Sequence, residues 1–220
     1  MCGRTKLTTP SDVLRDIFGL HDVPDLEPHY NIAPTKLVAV IRKPGVMELL
    51  RFGLVPPWAK SAGEGSRFIN ARAETVATLA AYRERRCMVI VDGFYEWTTE
   101  GPQKRPHLIH LKSGAPFAFG AVWGSWTSRD GEVIESVSVI TAPAQGAIGP
   151  LHDRMPLVLA PEDYSTWLEP NLASPERLLA PSRVAEIVTE PVSSAVSNPK
   201  NDGPECIAPP ELPAQSSLFG

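Results

Sequence analysis

Residues 87–97, which read Cys-Met-Val-Ile-Val-Asp-Gly-Phe-Tyr-Glu-Trp, constrain the fold more than any other stretch of the chain. The unbroken apolar run Cys87–Val91 has the length of a strand, and its lack of a polar face predicts a buried strand. Asp92 and Gly93 follow this run. Glu96 therefore stands near a strand end, where a carboxylate can transfer protons or hold the chain's amino terminus.

The segments on either side predict more short strands and a few helices. Apolar runs bounded by turn residues predict strands at Leu37–Arg42, Val46–Phe52, Leu108–Leu111, Phe117–Trp123 and Val133–Ile140. Helical spacing predicts helices at Ser11–Phe18, Thr75–Arg86, Pro161–Leu168 and Pro175–Leu179. Hairpin-linked strands and 23 prolines fit a single α+β domain with a mostly antiparallel sheet better than a helical bundle.

Composition limits the kind of protein this chain can be. Its formal net charge is -4, but residues 1–110 hold 15 Lys and Arg against 12 Asp and Glu, whereas residues 111–220 hold 6 against 13. A positive groove for nucleic acid, built mainly by the first half, is compatible with that distribution. The chain has no apolar run of about 18 residues and starts without a secretory signal, which predicts a cytoplasmic protein with no membrane span.

The three cysteines, Cys2, Cys87 and Cys206, favour neither disulfides nor a metal site. An odd count without a secretory signal argues against a disulfide framework. A zinc site is not predicted because the sequence has no close Cys-x-x-Cys or His pair.

Cys2 stands directly after the initiator Met1 and before Gly3. A small second residue permits the removal of Met1, which would leave an exposed N-terminal cysteine. Its α-amine, with a pKa of about 8, and its thiol, with a pKa of about 8.5, are two nucleophiles on one residue. An aldehyde forms a Schiff base with the amine, and the thiol then closes a thiazolidine ring in an intramolecular step. The terminus therefore predicts covalent capture of an aldehyde.

Four further segments carry chemically capable residues, and three of them also hold a proline or an aromatic ring: Asn31–Pro34, Asn70–Glu74, Gly93–Trp97 and His152–Pro156. His152 can act as an acid or base near neutral pH, and the Asn70 amide can fix a substrate or the terminus. The same residues also have purely structural interpretations. Asn70 would then stabilise a turn, Glu96 would be a surface carboxylate, His152 would be bonded for structure, and the Trp residues would pack in the core. Candidate contacts to DNA phosphates and bases are Arg4, Arg72, Arg154, Trp58 and Trp97.

Seven motifs occur in order, and together they resemble one known family. They are Met-Cys-Gly-Arg (1–4), Asn-Ile-Ala-Pro (31–34), Gly-Leu-Val-Pro-Pro-Trp (53–58), Asn-Ala-Arg-Ala-Glu-Thr (70–75), Gly-Phe-Tyr-Glu-Trp (93–97), His-Asp-Arg-Met-Pro (152–156) and Asn-Asp-Gly-Pro-Glu-Cys (201–206). The set is similar to the SRAP (SOS response-associated peptidase) domain, a family that shields abasic sites. One departure is Phe52, which stands where the family more often has Trp and is expected to be a core residue.

The resemblance implies a fold, a chemistry and a set of site residues. The fold would be a single domain over residues 1–207, with mostly antiparallel strands in a barrel-like core, peripheral helices and a positive groove. Cys2 would crosslink to an abasic site in single-stranded DNA, with Asn70 and Glu96 holding the terminus or the opened sugar and His152 assisting sugar opening. The implied DNA contacts are Arg4, Pro34, Trp58, Arg72, Arg83, Arg86, Trp97 and Arg154. The protein would be a monomer without metal or organic cofactor, with weak lyase activity as a side reaction.

Two other functions fit the same residues. Cys2, His152 and Glu96 are also the groups that a cysteine peptidase would use, including one that removes its own Met1. A protein that binds single-stranded DNA without covalent chemistry, with Cys2 merely packed, would share the basic and aromatic residues.

Residues 208–220 are rich in Pro and Ser and predict a flexible tail. Near its end, Gln215-Ser-Ser-Leu218-Phe219 resembles the Gln-x-x-Leu-Phe peptide by which bacterial proteins dock on the sliding clamp of replication. The tail therefore predicts a clamp partner, which together with DNA binding would associate the cytoplasmic protein with the nucleoid.

Overall fold

The computed structural model describes residues 2–100, 103–170, 172, 175–179 and 186–211. Its strands are β1 Thr5–Leu7, β2 His29–Ile32, β3 Leu37–Lys43, β4 Val46–Phe52, β5 Asn70–Arg72, β6 Arg86–Val91, β7 Gly93–Glu100, β8 Gln103–Leu111, β9 Phe117–Thr127, β10 Val133–Pro143, β11 Arg154–Pro156, β12 Val158–Leu159 and β13 Ile187–Pro191. Its α-helices are α1 Ser11–Phe18, α2 Ala73–Val76, α3 Ala80–Glu84 and α4 Tyr164–Leu168. Short 3-10 helices lie at Ala62–Arg67, Gly146–Ile148, Pro161–Asp163, Pro175–Leu179, Ser194–Ser197 and Pro204–Ile207.

Five strands close into a barrel at the centre of the molecule. Their hydrogen-bonded order is β10-β4-β3-β6-β9, and β9 pairs with β10 to complete the circle. The β4–β10 pair is parallel, and the other four barrel pairs are antiparallel. All six residues of β6 are buried, because the strand lies between β3 and β9 and α4 packs on it. The apolar run that begins at Cys87 is thus a buried barrel strand, as predicted.

A second sheet packs against the barrel in the order β13-β8-β7-β1-β2, with antiparallel pairs throughout. Successive side chains of β7 point to opposite faces. Phe94 faces the barrel, where its ring meets the Phe119 ring edge-on with the centroids 5.5 Å apart. Tyr95 faces the other way and packs with Val196 of the C-terminal segment. Glu96 shares the face of Phe94 and therefore lies on the barrel side of this sheet.

Asn31 of β2 holds the C-terminal segment in place. Its Nδ2 donates to the carbonyl oxygens of Val196, Asn198 and Asn201 at 3.1, 3.1 and 2.7 Å. Its backbone N–H donates to Asp202 Oδ1 at 2.7 Å. The Asn-Ile-Ala-Pro and Asn-Asp-Gly-Pro-Glu-Cys motifs are therefore in contact. Together they hold the C-terminal segment on the face of the second sheet that points away from the barrel.

The predicted fold class, a single α+β domain with mostly antiparallel strands in a barrel-like core, is confirmed. Phe52 is a core residue, as expected. The single helix predicted at Thr75–Arg86 is wrong, because Leu79 has extended backbone angles that separate α2 from α3, and Arg86 already belongs to β6. The boundary predicted at residue 207 stays a prediction.

Two properties of the described part of the chain concern membranes and metals. None of its helices is long and apolar enough to cross a bilayer. Within the same residues, no group of three or more His, Cys, Asp or Glu side chains is arranged to hold a metal ion. The three cysteines are unpaired and buried.

Candidate active site and nucleic-acid interface

Cys2 precedes β1 and lies inside the molecule, with its side chain 0% exposed. Burial first, and then the nearby charge of Glu96, raises the pKa of its thiol. Its carbonyl oxygen accepts a hydrogen bond of 3.0 Å from Asn70 Nδ2. The expectation of an exposed Cys2 is therefore wrong for the chain that still carries Met1. The physical reason is that β1 runs between β2 and β7, which draws the residues in front of it into the core.

β5 places Asn70 and Arg72 along one edge of β10. Val139 and Thr141 of β10 pair with these two residues in parallel register. Because residues two apart on a strand share a face, both polar side chains point to the same side. Asn70 Oδ1 is buried and accepts no hydrogen bond within the described part of the chain. It offers an acceptor beside Cys2 for an N–H or O–H group of a bound substrate.

Glu96 is 4% exposed and lies between the second sheet and the barrel. Burial raises the pKa of its carboxyl, and the nearby His152 ring acts in the opposite direction. A carboxyl with a raised pKa exchanges protons closer to neutral pH, as a general base requires. Its charge acts on the Cys2 thiol as well, so Glu96 stands electrostatically between Cys2 and His152.

His152 lies in the loop before β11 with its ring partly exposed. Its Nδ1 is 2.8 Å from the backbone nitrogen of Arg154 and also 2.8 Å from Asp153 Oδ1. Nδ1 cannot form both hydrogen bonds at once, because an unprotonated Nδ1 accepts from the Arg154 amide, whereas a protonated Nδ1 donates to the Asp153 carboxylate. The amide is a fixed donor, whereas the Asp153 side chain is free to turn into solvent. We therefore assign an accepted bond to Nδ1 and, in the neutral ring, the proton to Nε2.

Arg154 and Glu74 form an ion pair near Arg72. β5 and β11 flank the C-terminal half of β10 on opposite edges, which brings the two segments together. Both terminal nitrogens of Arg154 donate to the Glu74 carboxylate, Nη2 to Oε2 at 2.9 Å. Sequence reasoning singled out Arg154 and Arg72 but missed Glu74, although its place in the Asn70–Glu74 motif was a usable signal.

Arg4 and Trp97 lie together on the side of the second sheet that faces the C-terminal segment. The Arg4 guanidinium is 5.7 Å from the Trp97 ring centroid, and its Nη1 donates at 2.7 Å to Asn31 Oδ1. Trp97 Nε1 donates to Ser197 Oγ at 3.0 Å. Strand alternation puts Trp97 on the face of β7 opposite to Glu96. These two candidates therefore belong to a surface that adjoins the C-terminal segment, and not to the interior around Cys2.

Trp58 and Pro34 both lie at the surface. The Trp58 side chain is 67% exposed and packs edge-on against Phe68, two residues before Asn70, with the ring centroids 5.8 Å apart. Pro34 lines an open groove of about 800 Å³ with Lys36 and Lys200. Both candidates are thus accessible to a polynucleotide, and Trp58 presents a free aromatic surface for a base.

The structure gives Arg86 a structural role, which corrects the expectation that it contacts phosphates. It is buried, and four of its five N–H donors bond to the backbone carbonyl oxygens of Trp167, Tyr82, Arg83 and Glu169. The Arg83 side chain is exposed, but it lines a cavity of about 530 Å³ whose described lining includes neither Asn70 nor His152. Arg86 is therefore not part of the interface, whereas a phosphate contact by Arg83 stays a prediction.

The arrangement combines a nucleophile, an acceptor amide, a proton-exchanging carboxyl and an imidazole: Cys2, Asn70, Glu96 and His152. Such a set can take a proton from an amine or thiol and give one to a sugar oxygen. Arg72, Arg154 and Trp58 lie on the neighbouring segments, so a phosphodiester backbone and its bases can be held beside it.

Comparisons with known proteins agree on one family. A family model described as SOS response associated peptidase (SRAP) matches residues 1–199. The abasic site processing protein YoqW of Bacillus subtilis is 36% identical over 94% of this chain and 99% of its own length. The abasic site processing protein YedK of Escherichia coli is 34% identical over 95% and 100%. A crystal structure of a Bacteroides thetaiotaomicron protein has a TM-score of 0.82 at 22% identity, covers 94% of this chain and 99% of its own, and shows the same fold.

Proposed function

Because the chain belongs to the SOS response-associated peptidase (SRAP) family, we propose that it processes abasic sites in DNA by bonding covalently, through Cys2, to the aldehyde of the opened sugar. The relatives named abasic site processing proteins match it over nearly its whole length, which supports the substrate class. The observation that carries the chemistry is the hydrogen bond from Asn70 to the Cys2 carbonyl, next to the buried carboxyl of Glu96. It fixes the one residue that can offer both an amine and a thiol.

The reaction needs a free α-amine on Cys2, so it begins with hydrolysis of the Met1–Cys2 peptide bond. The amine nitrogen adds to C1′ of the ring-opened deoxyribose, and loss of water gives a Schiff base. The Cys2 sulfur then bonds to the same carbon while its proton passes to the nitrogen, which closes a thiazolidine. One aldehyde and one aminothiol give one thiazolidine and one water. The thiazolidine removes the aldehyde, and with it the carbonyl that makes the C2′ protons acidic enough for β-elimination to break the strand.

The neighbouring groups divide the proton transfers between them. The thiol is protonated because burial raises its pKa, so the amine attacks first and the sulfur second. Glu96 takes up the proton that the amine loses, and Asn70 orients the terminus through the bond it already makes. His152, with its proton on Nε2, donates to the ring oxygen as the closed sugar opens.

The DNA lies along the surface that adjoins this site. Arg72 and Arg154 contact phosphates, and Trp58 stacks on a base. Pro34 lines the groove, and Arg4 and Trp97 contact the strand from the side of the C-terminal segment. Such contacts are independent of base sequence, so the protein acts on single-stranded DNA wherever a lesion is exposed. It acts as a monomer, in the cytoplasm and at the nucleoid.

Two side activities follow from the same groups. A Schiff base that persists before ring closure lowers the barrier to β-elimination, so weak lyase activity accompanies crosslinking. Cys2, Glu96 and His152 are also the groups that would hydrolyse the Met1–Cys2 bond, which links the peptidase in the family name with the step that the crosslink requires.

The test is a crosslinking gel with an abasic oligonucleotide. Wild-type protein freed of Met1 is expected to give a DNA–protein band that survives boiling in detergent. Cys2→Ala removes the thiol and should abolish this stable band. Cys206→Ala, which removes another buried thiol, serves as the matched control and should crosslink like wild type. A boiling-resistant band of wild-type intensity from Cys2→Ala would overturn the proposal, because it would assign the bond to another residue.

A further inference from the structure

The Glu74–Arg154 pair occupies the guanidinium that the proposed function assigns to a DNA phosphate. Glu74 stands in the first turn of α2, directly after β5, and its carboxylate receives both terminal nitrogens of Arg154. Nη2 of the same guanidinium also donates to the Thr141 carbonyl oxygen at 2.5 Å. The Arg154 side chain is 15% exposed and that of Glu74 48%, so the carboxylate lies on the solvent side. A carboxylate and a phosphate present the same pair of acceptor oxygens to an Arg fork.

Glu74 remains negatively charged wherever DNA binds. Hydrogen bonds from Arg154 lower the pKa of its carboxyl to about 2, and the charge of Arg72 adds to the effect. A phosphate that approaches Arg154 must therefore displace this carboxylate or lie beside it against a like charge. Either way, the strand gains less from Arg154 than it would from an unpaired guanidinium.

We propose that Glu74 is a specificity-determining residue, an internal competitor for the phosphate site on Arg154 that weakens the binding of intact single strands. This inference rests on the proposed function. An intact strand is held by phosphate contacts and stacking alone, so competition from Glu74 shortens its residence time on the protein. A strand with an abasic site forms a covalent bond during its stay and is retained. The competition therefore makes the protein release undamaged DNA without lowering the final yield on damaged DNA.

The salt dependence of binding gives this idea a distinctive signature. When a phosphate replaces Glu74 on Arg154, one anion is exchanged for another, and the freed carboxylate takes up a cation. Without Glu74, Arg154 meets the phosphate as an unpaired charge, and the counterion that leaves the DNA is no longer offset by a cation taken up on the protein. The slope of log affinity against log salt should become steeper by about 0.7 for a single strand. Affinity at low salt should rise about twofold to fivefold, the scale of an exposed ion pair.

The experiment compares Glu74→Gln with wild type for binding to a fluorescent oligothymidylate that has no abasic site, between about 50 and 200 mM salt. Glu132→Gln is the matched control, because it removes the same charge far from Arg154. Glu132 directly precedes β10, about nine residues or 30 Å along the strand from Thr141, whose carbonyl oxygen Arg154 contacts. In a second arm, Glu74→Gln is combined with Arg154→Ala, which should cancel the gain. In a third, excess intact strand is added to the crosslinking reaction and should depress the yield of Glu74→Gln more than that of wild type.

The outcomes separate the inference from the function on which it rests. If wild type binds and crosslinks but Glu74→Gln has the wild-type salt slope, the competitor role is wrong and the proposed function stands. The competitor role is equally wrong if Glu132→Gln steepens the slope to the same extent, since the effect is then one of net charge. If wild type neither binds the strand nor crosslinks to an abasic site, the proposed function itself fails.

Discussion

Glu96 has the local environment on which the proposed chemistry depends most. It is buried beside a buried thiol, and burial raises the pKa of both groups. The thiol therefore cannot activate itself, and the carboxyl is the nearby base with a pKa moved toward neutral pH. Sequence reasoning identified both residues through their motifs. It could not foresee the burial of Cys2, because a terminal residue is frayed by default unless a strand ties it down, and β1 is only three residues long.

Substitutions at Glu96 and His152 should affect different steps. Glu96→Gln removes the base, so crosslinking should slow about 10²-fold or more toward any aldehyde. His152→Ala removes the acid that opens the sugar, so it should slow capture of an abasic deoxyribose but not of an open-chain aldehyde that cannot cyclise. The measurement is the rate of crosslinking to both substrates. Equal slowing of both substrates by His152→Ala would contradict its role.

The pH dependence of crosslinking carries the same information. Glu96 acts as a base only when ionised, and its raised pKa puts that ionisation above the usual value of about 4.3. The crosslinking rate of wild type should therefore fall, as pH is lowered, at a pH above that of an ordinary carboxyl. In Glu96→Gln this limb should vanish from an already slow reaction, and only the fall caused by protonation of the Cys2 amine, whose ordinary pKa is about 8, should remain. A limb that persists unchanged in the variant would assign the titration to another group.

At the scale of elements, the corner between β6 and β7 holds the N-terminal strand in place. Asp92 Oδ2 accepts from the backbone N–H of Thr8 at 2.7 Å and of Thr9 at 2.9 Å, and also from both hydroxyls. Its Oδ1 lies 2.6 Å from Lys6 Nζ. Burial alone would raise the pKa of Asp92, but the charge of Lys6 and these hydrogen bonds outweigh it and lower the pKa. The chain that leaves β1 is thus anchored by one carboxylate.

Asp92→Asn should destabilise the protein by about 3 kcal/mol, because it leaves Lys6 without its charged partner in a nearly buried position. The carboxylate has a lowered pKa in the folded state, so its contribution is complete above the unfolded pKa of about 3.9 and is lost as pH falls through the folded value. Urea unfolding at pH 7 and pH 3 should show a large difference from wild type that shrinks in acid. The exposed Asp130→Asn is the matched control; a deficit as large at pH 3 as at pH 7 would contradict the argument.

Strands that read as apolar runs next to clear turns, such as β3, β4 and β6, were predictable, whereas β7, whose two faces pack on different partners, was not. β3 and β4 flank a Pro-Gly turn and were found within a residue of their bounds. β7 was mistaken for a strand end, because Phe94 and Tyr95 are both buried and no apolar–polar alternation marks the strand. The helix predicted after Thr75 failed for a tertiary reason, since Arg86 is drawn into β6 by its pairing with Val122 and by the carbonyl groups around its guanidinium.

At the scale of the whole molecule, the sequence predicts a short clamp-binding peptide near the end of the tail, residues 208–220. Gln215, Leu218 and Phe219 lie outside the described residues, so the clamp partner stays a prediction. A chain that ends at Pro213 should lose binding to purified sliding clamp while its crosslinking to abasic DNA stays at the wild-type level. The full-length triple variant Gln215→Ala, Leu218→Ala, Phe219→Ala should behave in the same way. Equal clamp binding by the full-length and shortened chains would remove the idea.

The position of β1 in the second sheet also has a consequence for the time at which Met1 can be removed during synthesis of the protein. β1 pairs with β2 and with β7, whose last residue is Glu100. At about 5–20 residues per second, the ribosome needs roughly 5 to 20 seconds to make these first hundred residues. Until then, the peptide bond before Cys2 is part of a nascent chain and open to any aminopeptidase that waits at the exit tunnel. Afterwards Cys2 is buried in the folded chain, so maturation by another enzyme is a race against translation.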